Sequence, residues 1–208
     1  MRRADLEHTI RAATEIIAQD SIIIIGSQAI LGTYTEDQLP EQATQSLEVD
    51  MAPLSDDAAA SLATRLDGAI GELSMFHETH GYYVQGVGRE TAVLPDGWET
   101  RLVAVSGPNT NGRTGLCLDP HDLCLAKLVA HREKDMIFVG ALIDADLIDP
   151  VVLAERVEIM TTADARSRAT IRTYLEPLLQ ARTPRVGTAV SHPVELKEQG
   201  HPRPSRGR

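Results

Sequence analysis

Three short groups of residues in this chain have the types and spacing to handle a phosphate chain. Gly26-Ser27 stands directly after the run Ile22-Ile23-Ile24-Ile25. A glycine there lets the backbone approach a ligand closely, and the serine adds a hydroxyl beside backbone N–H groups, which suits the β and γ phosphates of a nucleotide. Glu48-Val49-Asp50 lies in an alternating stretch: Leu47, Val49 and Met51 take one face of a strand, Glu48 and Asp50 the other. Two carboxylates so placed can hold Mg2+ between them, and magnesium commonly shares its oxygen ligands with nucleotide phosphates. The third group is Lys127, with His131 and Asp135 following at four-residue steps. If one helix runs through all three they form a stripe, whose lysine could neutralise charge on a transferring phosphoryl group while Asp135 orients that lysine or the acceptor hydroxyl.

Each group also has a plain reading: a turn that ends a strand, a solvated strand edge, and a surface helix laced with charge pairs. Their joint occurrence favours chemistry over the plain readings taken singly. Two familiar phosphate motifs are excluded, since Gln28 stands where the dinucleotide fingerprint needs a glycine, and Gly32 is followed by Thr33 rather than by the Walker lysine. His77 and His80 lack the four-residue step of a zinc-protease pair and read as a loop or strand-edge cluster. Trp98 reads as a core anchor.

The elements that must position these residues follow from the patterning. Leu6, Ile10, Ala13 and Ile17 are spaced for one buried face of a helix over 5–19. The isoleucine run reads as a short strand buried on both faces. The polar stretch 32–46, with Pro40, reads as a long functional or mobile loop. A helix is expected over 55–70, with Ser55 as its N-cap. Strands are expected over 82–87 and 99–105, which could pair as a hairpin across Pro95-Asp96-Gly97, and a loop over 106–115. Asp119-Pro120 starts a helix reaching about His131, and the chain from Asp135 to the region of Arg182 reads as mostly helical. Residues 183–208, rich in proline and poor in apolar side chains, read as a disordered tail. Helix followed by strand points to an α/β or α+β domain.

Length and charge narrow the function classes. The chain has 208 residues and a formal charge of −10, which suits one globular domain and argues against a surface that grips nucleic acid over its whole extent, without excluding a local basic cleft. No stretch approaches the roughly 18 consecutive apolar residues of a membrane helix, and nothing at the N-terminus has the form of a signal peptide. Cys117 and Cys124 cannot build a disulfide framework or a four-ligand zinc site, and their leucine-rich surroundings look like core. A cytoplasmic location fits these features.

The order of the motifs carries a resemblance. Ile-Ile-Gly-Ser-Gln-Ala, then Ser-Leu-Glu-Val-Asp, then His-Asp-Leu-Cys-Leu-Ala-Lys-Leu-Val-Ala-His-Arg-Glu-Lys-Asp-Met-Ile-Phe-Val, resembles the DUF6036 nucleotidyltransferases, relatives of the AbiEii and MenT toxin nucleotidyltransferases. The match runs from about Ile22 to about Asp149, and Gly-Glu-Leu-Ser-Met-Phe-His-Glu-Thr-His-Gly-Tyr-Tyr-Val-Gln-Gly-Val and Leu-Pro-Asp-Gly-Trp are similar too. The resemblance implies a polymerase-β-like core, a mixed sheet flanked by helices, over 1–115, with a C-terminal helical subdomain packed on it over 116–182. It implies Gly26 and Ser27 at the triphosphate of an NTP, Glu48 and Asp50 on Mg2+, and Lys127 and Asp135 as catalytic residues. It favours transfer RNA as acceptor and an antitoxin protein as partner. The chain departs from the family pattern in carrying Glu-x-Asp rather than Asp-x-Asp, in having no carboxylate from Arg101 to Val105, and in the short spacing of Lys127 and Asp135. The alternatives are a transferase acting on a small molecule or a protein, a silent nucleotide- or partner-binding module with the same fold, and a structural or antitoxin-like partner protein.

Overall fold

The computed structural model describes residues 1–54 and 59–182. Helix α1 (Arg3–Ile17) buries Leu6, Ile10, Ala13 and Ile17, the four positions the spacing selects, and stops at Ala18, which is left-handed at φ 55°. Strand β1 (Ser21–Ile24) follows, and Ile22 to Ile25 are all buried. A 3-10 turn (Ser27–Gly32) and a short helix α2 (Glu41–Thr44) lead to β2 (Glu48–Ala52). Helices α3 (Ala59–Ile70) and α4 (Met75–His80) precede β3 (Tyr83–Gly86), and β4 (Val103–Val105) and β5 (Thr114–Cys117) complete the sheet. Four helices end the described chain: α5 (Pro120–Ala130), α6 (Glu133–Asp144), α7 (Pro150–Val157) and α8 (Ala165–Arg182).

The five strands form one mixed sheet in the order β3-β2-β1-β5-β4. β1 lies at its centre, antiparallel to β2 and parallel to β5; β2 and β3 are parallel, β4 and β5 antiparallel. The result is the mixed sheet flanked by helices expected of the chain, with the all-isoleucine strand in the most enclosed place because it has no polar side chain to expose. α5 packs on the 3-10 turn after β1 and carries α6, α7 and α8 against it. Asp119 caps α5, accepting from the N–H groups of His121 and Asp122, and pairs with Arg156 of α7. Asp122, fully buried, accepts from Arg101 Nε at 2.7 Å and Arg156 Nη1 at 2.8 Å. Burial alone would push the Asp119 carboxyl up, but hydrogen bonds from His121 and Arg156 hold it well below the usual range. This network fixes the helix that bears Lys127.

Four local expectations need correction. The strands at 82–87 and 99–105 do not form a hairpin: β3 and β4 occupy opposite edges of the sheet, and Trp98–Arg101 is a 3-10 turn. The stretch 32–46 is not an irregular loop, because two helical turns, Glu36–Gln38 and Glu41–Thr44, lie within it. Thr114 and Gly115 belong to β5 rather than to a loop, with Gly115 set against Ile10 of α1. The helix that bears Lys127 ends at Ala130, about where expected, so no single helix carries Lys127, His131 and Asp135. The Ser55 cap and the tail beyond 182 lie outside the described residues.

The remaining side chains behave as structural parts. His80 stands in an aromatic cluster with His8, Phe76 and Tyr82, in which His8 Nδ1 is 2.8 Å from the Tyr82 hydroxyl. His77 Nδ1 accepts from the Leu73 N–H. Trp98 is half-buried against the core. Cys117 and Cys124 are free and buried, and burial pushes the Cys117 thiol up to about 12. Among the described residues no helix is long and apolar enough to cross a membrane.

Candidate active site

The end of β1 and the middle of β2 meet at one point. Because the strands are antiparallel, the Ile25 N–H donates to the Asp50 carbonyl at 3.0 Å, which brings Gly26 beside Asp50. Gly26 has φ −78°, a conformation open to any residue. Its lack of a side chain matters for a different reason: a methyl group there would sit 1.6 Å from Asp50 Oδ2. The glycine after the strand therefore makes room for the carboxylate of the neighbouring strand. Gly26→Ala is expected to keep the fold, as circular dichroism would show, while displacing Asp50 and weakening magnesium–nucleotide binding by about tenfold or more. Unchanged binding would mean that the seat of Asp50 against Gly26 is unimportant.

Val49 and Met51 point into the core at 0% exposure, so Glu48 and Asp50 both project from the opposite face. Both are half-buried and line one cleft of about 300 Å³ together with Gly26, Ser27, Lys127, Arg132 and Lys134. Burial, and next the charge of Glu48, push the Asp50 carboxyl up to about 6, against the opposing pull of Lys127, Lys134 and Arg132.

Across the cleft, Lys127 is 8% exposed in the last turn of α5. Its Nζ donates to Ser27 Oγ at 2.8 Å and to Asp135 Oδ1 at 3.0 Å, and lies 4.4 Å from the centre of the Phe138 ring. The single helical stripe expected of Lys127, His131 and Asp135 does not exist. α5 stops at Ala130, His131 takes the left-handed conformation at φ 52° and is exposed, and α6 restarts at Glu133. This sharp corner folds Asp135 back onto Lys127, so the two meet through a helix break rather than along a helix face. Asp135 is fully buried, lines no part of the cleft, and also accepts from Arg132 Nε at 2.6 Å. Burial opposes its ionisation, but the hydrogen bonds from Arg132 and Lys127 prevail and hold its carboxyl below the ordinary value.

The structure thus brings together Gly26, Ser27, Glu48, Asp50 and Lys127 in one cleft, with Asp135 behind Lys127. Sequence reasoning missed Gln85, Arg132 and Lys134 as cleft residues. Gln85 pairs with Asp50 in the β2–β3 register, so an amide stands on the strand beside the acidic pair. The stretch 101–105, which carries no carboxylate, leads into β4, and β1 and β5 separate β4 from β2. Among the described residues no group of three or more His, Cys, Asp or Glu side chains could hold a metal. The donor set still fits a hard cation: two like-charged, half-buried carboxylates, one of them resisting ionisation, are a pair that a divalent ion would relieve, and magnesium completes its shell with water and phosphate oxygens.

Comparison with curated proteins and with solved structures gave no match. Residues 4–176 match the model of a family described as nucleotidyltransferase of unknown function, DUF6036, and since this spans most of the chain, the protein belongs to that family.

Proposed function

We infer that the protein is a magnesium-dependent nucleotidyltransferase that moves a nucleoside monophosphate from a nucleoside triphosphate to an acceptor hydroxyl. The observation that carries this reading is the opposition, within one cleft, of the Glu48–Asp50 pair and the Lys127–Ser27 hydrogen bond. Glu48 and Asp50 would hold the metal, which when bound supplies positive charge to the phosphate oxygens at the reacting centre. Gly26 and Ser27 receive the phosphate chain at the end of β1. The acceptor oxygen attacks the α-phosphorus, the bond from that phosphorus to the bridging oxygen of the pyrophosphate breaks, and pyrophosphate departs with its new charge facing Lys127. The acceptor proton passes to an oxygen of the Glu48–Asp50 pair that the metal leaves free. Asp135 acts through Lys127 as a positioning residue, because its oxygens are occupied by Lys127 and Arg132 and it does not reach the cleft.

The resemblance to toxin nucleotidyltransferases makes transfer RNA the first acceptor to test, in a cytoplasmic setting and with an antitoxin protein as the partner to seek; a small molecule or a protein hydroxyl follows, in keeping with the net charge of −10. Calorimetry tests the nucleotide half of the reading. Binding of a nucleoside triphosphate is expected with magnesium, and loss of it with a chelator; binding indifferent to magnesium would remove the metal role of Glu48 and Asp50. A second reading, a nucleotide-binding module without turnover, is favoured by Gln85 standing beside Asp50 where another carboxylate would strengthen metal binding. Magnesium-dependent binding with no release of labelled pyrophosphate in mixed RNA would select it.

A further inference from the structure

The cleft has a second lobe. It has a volume of about 270 Å³ and shares Ser27, Ser46, Lys127 and Lys134 with the first, but its other walls are Gln42, Gln45 and the apolar Ile137 and Phe138, with no carboxylate. The two lobes therefore differ in charge: the acidic pair is confined to one, and the lysines stand on the boundary. Lys127 is committed to Ser27 and Asp135, and Arg132 to Asp135. Lys134 lines both lobes and makes no hydrogen bond or ion pair among the described residues, so its ammonium group, which acts on Asp50 only through space, keeps its donors for a ligand.

We propose that this second lobe is the seat of the terminal phosphates and of the departing pyrophosphate, and that Lys134 makes the site select triphosphates over monophosphates. This rests on the transferase reading above and gives the phosphate chain a direction. The α-phosphate must lie at the acidic pair, where the metal would be held, and the β and γ phosphates carry most of the negative charge, which is repelled by Glu48 and Asp50 and attracted across Ser27 toward Lys127 and Lys134. Of the two lobes, the second is the one that offers a polyanion lysines and amide donors without a carboxylate wall. In-line displacement also requires the leaving group to depart away from the incoming oxygen, so the acceptor enters the first lobe from the side away from the lysines.

Calorimetry on the full chain with inorganic pyrophosphate, a nucleoside triphosphate and the matching monophosphate, each with magnesium, decides the matter. Lys134→Gln is expected to weaken pyrophosphate and triphosphate binding by about tenfold while changing monophosphate affinity by less than about twofold. Lys134 and Gln45 are exposed, so the fold should tolerate this change and also Gln45→Trp, which fills the lobe and is expected to have the same selective effect. Undiminished pyrophosphate binding in either variant, or an equal loss for monophosphate, overturns the assignment. These outcomes are separable from failure of the transferase reading: a wild type that binds the triphosphate while Lys134→Gln binds it equally well overturns the lobe alone. A wild type that binds neither pyrophosphate nor triphosphate overturns both.

Discussion

Asp50→Asn is expected to cut transfer by roughly a hundredfold or more and, at neutral pH, to raise the melting temperature of the metal-free protein. The two effects share one cause. Burial and the neighbouring Glu48 raise the Asp50 carboxyl from an ordinary 3.8 to about 6, so the folded state binds its proton more tightly than the unfolded state does. A carboxylate raised in this way opposes folding: the penalty is absent below pH 3.8, grows as the pH rises toward 6, and is complete above it. A shift of this size corresponds to at most about 3 kcal/mol, and in a chain of this length each kcal/mol moves the melting temperature by about 2–4 °C. Asparagine keeps the shape beside Gly26 and removes the charge, so the variant should melt several degrees higher than wild type at pH 7 in chelator, with the difference vanishing near pH 4. Activity should fall by roughly a hundredfold to ten-thousandfold, the scale of losing a positioned proton acceptor. A variant that melts lower than wild type at pH 7 contradicts this picture of the acidic pair.

Asp135→Ala is expected to have the opposite signature, losing stability and activity together. Asp135 is fully buried between Lys127 and Arg132, and its removal strands the Lys127 ammonium, 8% exposed, against Ser27 and the Phe138 ring. Breaking a buried pair on one side costs about 3–5 kcal/mol, a large part of the stability of an ordinary domain. The pH dependence has the usual carboxylate sign: the Asp135 carboxyl is held below its ordinary value, so its contribution is present at neutral pH and is lost as the pH falls through that depressed value. Two further variants separate positioning from packing. Asp135→Asn keeps an acceptor for Lys127 and should retain part of both properties. The pair Lys127→Met with Asp135→Leu replaces the ions by apolar groups and should recover stability without recovering activity. Recovery of activity in that pair would show that Lys127 has no part in the chemistry.

The acidic pair was legible in the sequence because strand alternation is a local rule: once Val49 and Met51 are core, Glu48 and Asp50 must share the other face. β1 was equally plain from four consecutive isoleucines, and α5 from the Asp119-Pro120 start. What the sequence hid depended on conformation at single residues or on strand order. The left-handed His131 turns an expected helical stripe into a corner, and that corner, not helical periodicity, brings Asp135 to Lys127. Gln85 and the failed hairpin have a common origin, since β3 joins β2 by a parallel crossover and leaves β4 to the far edge. Arg132 and Lys134 read as surface charge in the sequence, because only the corner after α5 turns them over the cleft.

The central claim is that Glu48, Asp50, Ser27 and Lys127 form one catalytic cleft. The most direct test incubates wild type and Asp50→Asn with each α-labelled nucleoside triphosphate, magnesium, total RNA and total protein, and then separates the labelled products. Transfer of label from one or more nucleotides to an acceptor by wild type, cut by roughly a hundredfold or more in Asp50→Asn, is the predicted result, and the labelled fraction names the acceptor class. Equal labelling by wild type and Asp50→Asn would contradict the account, since the chemistry would then lie outside the cleft.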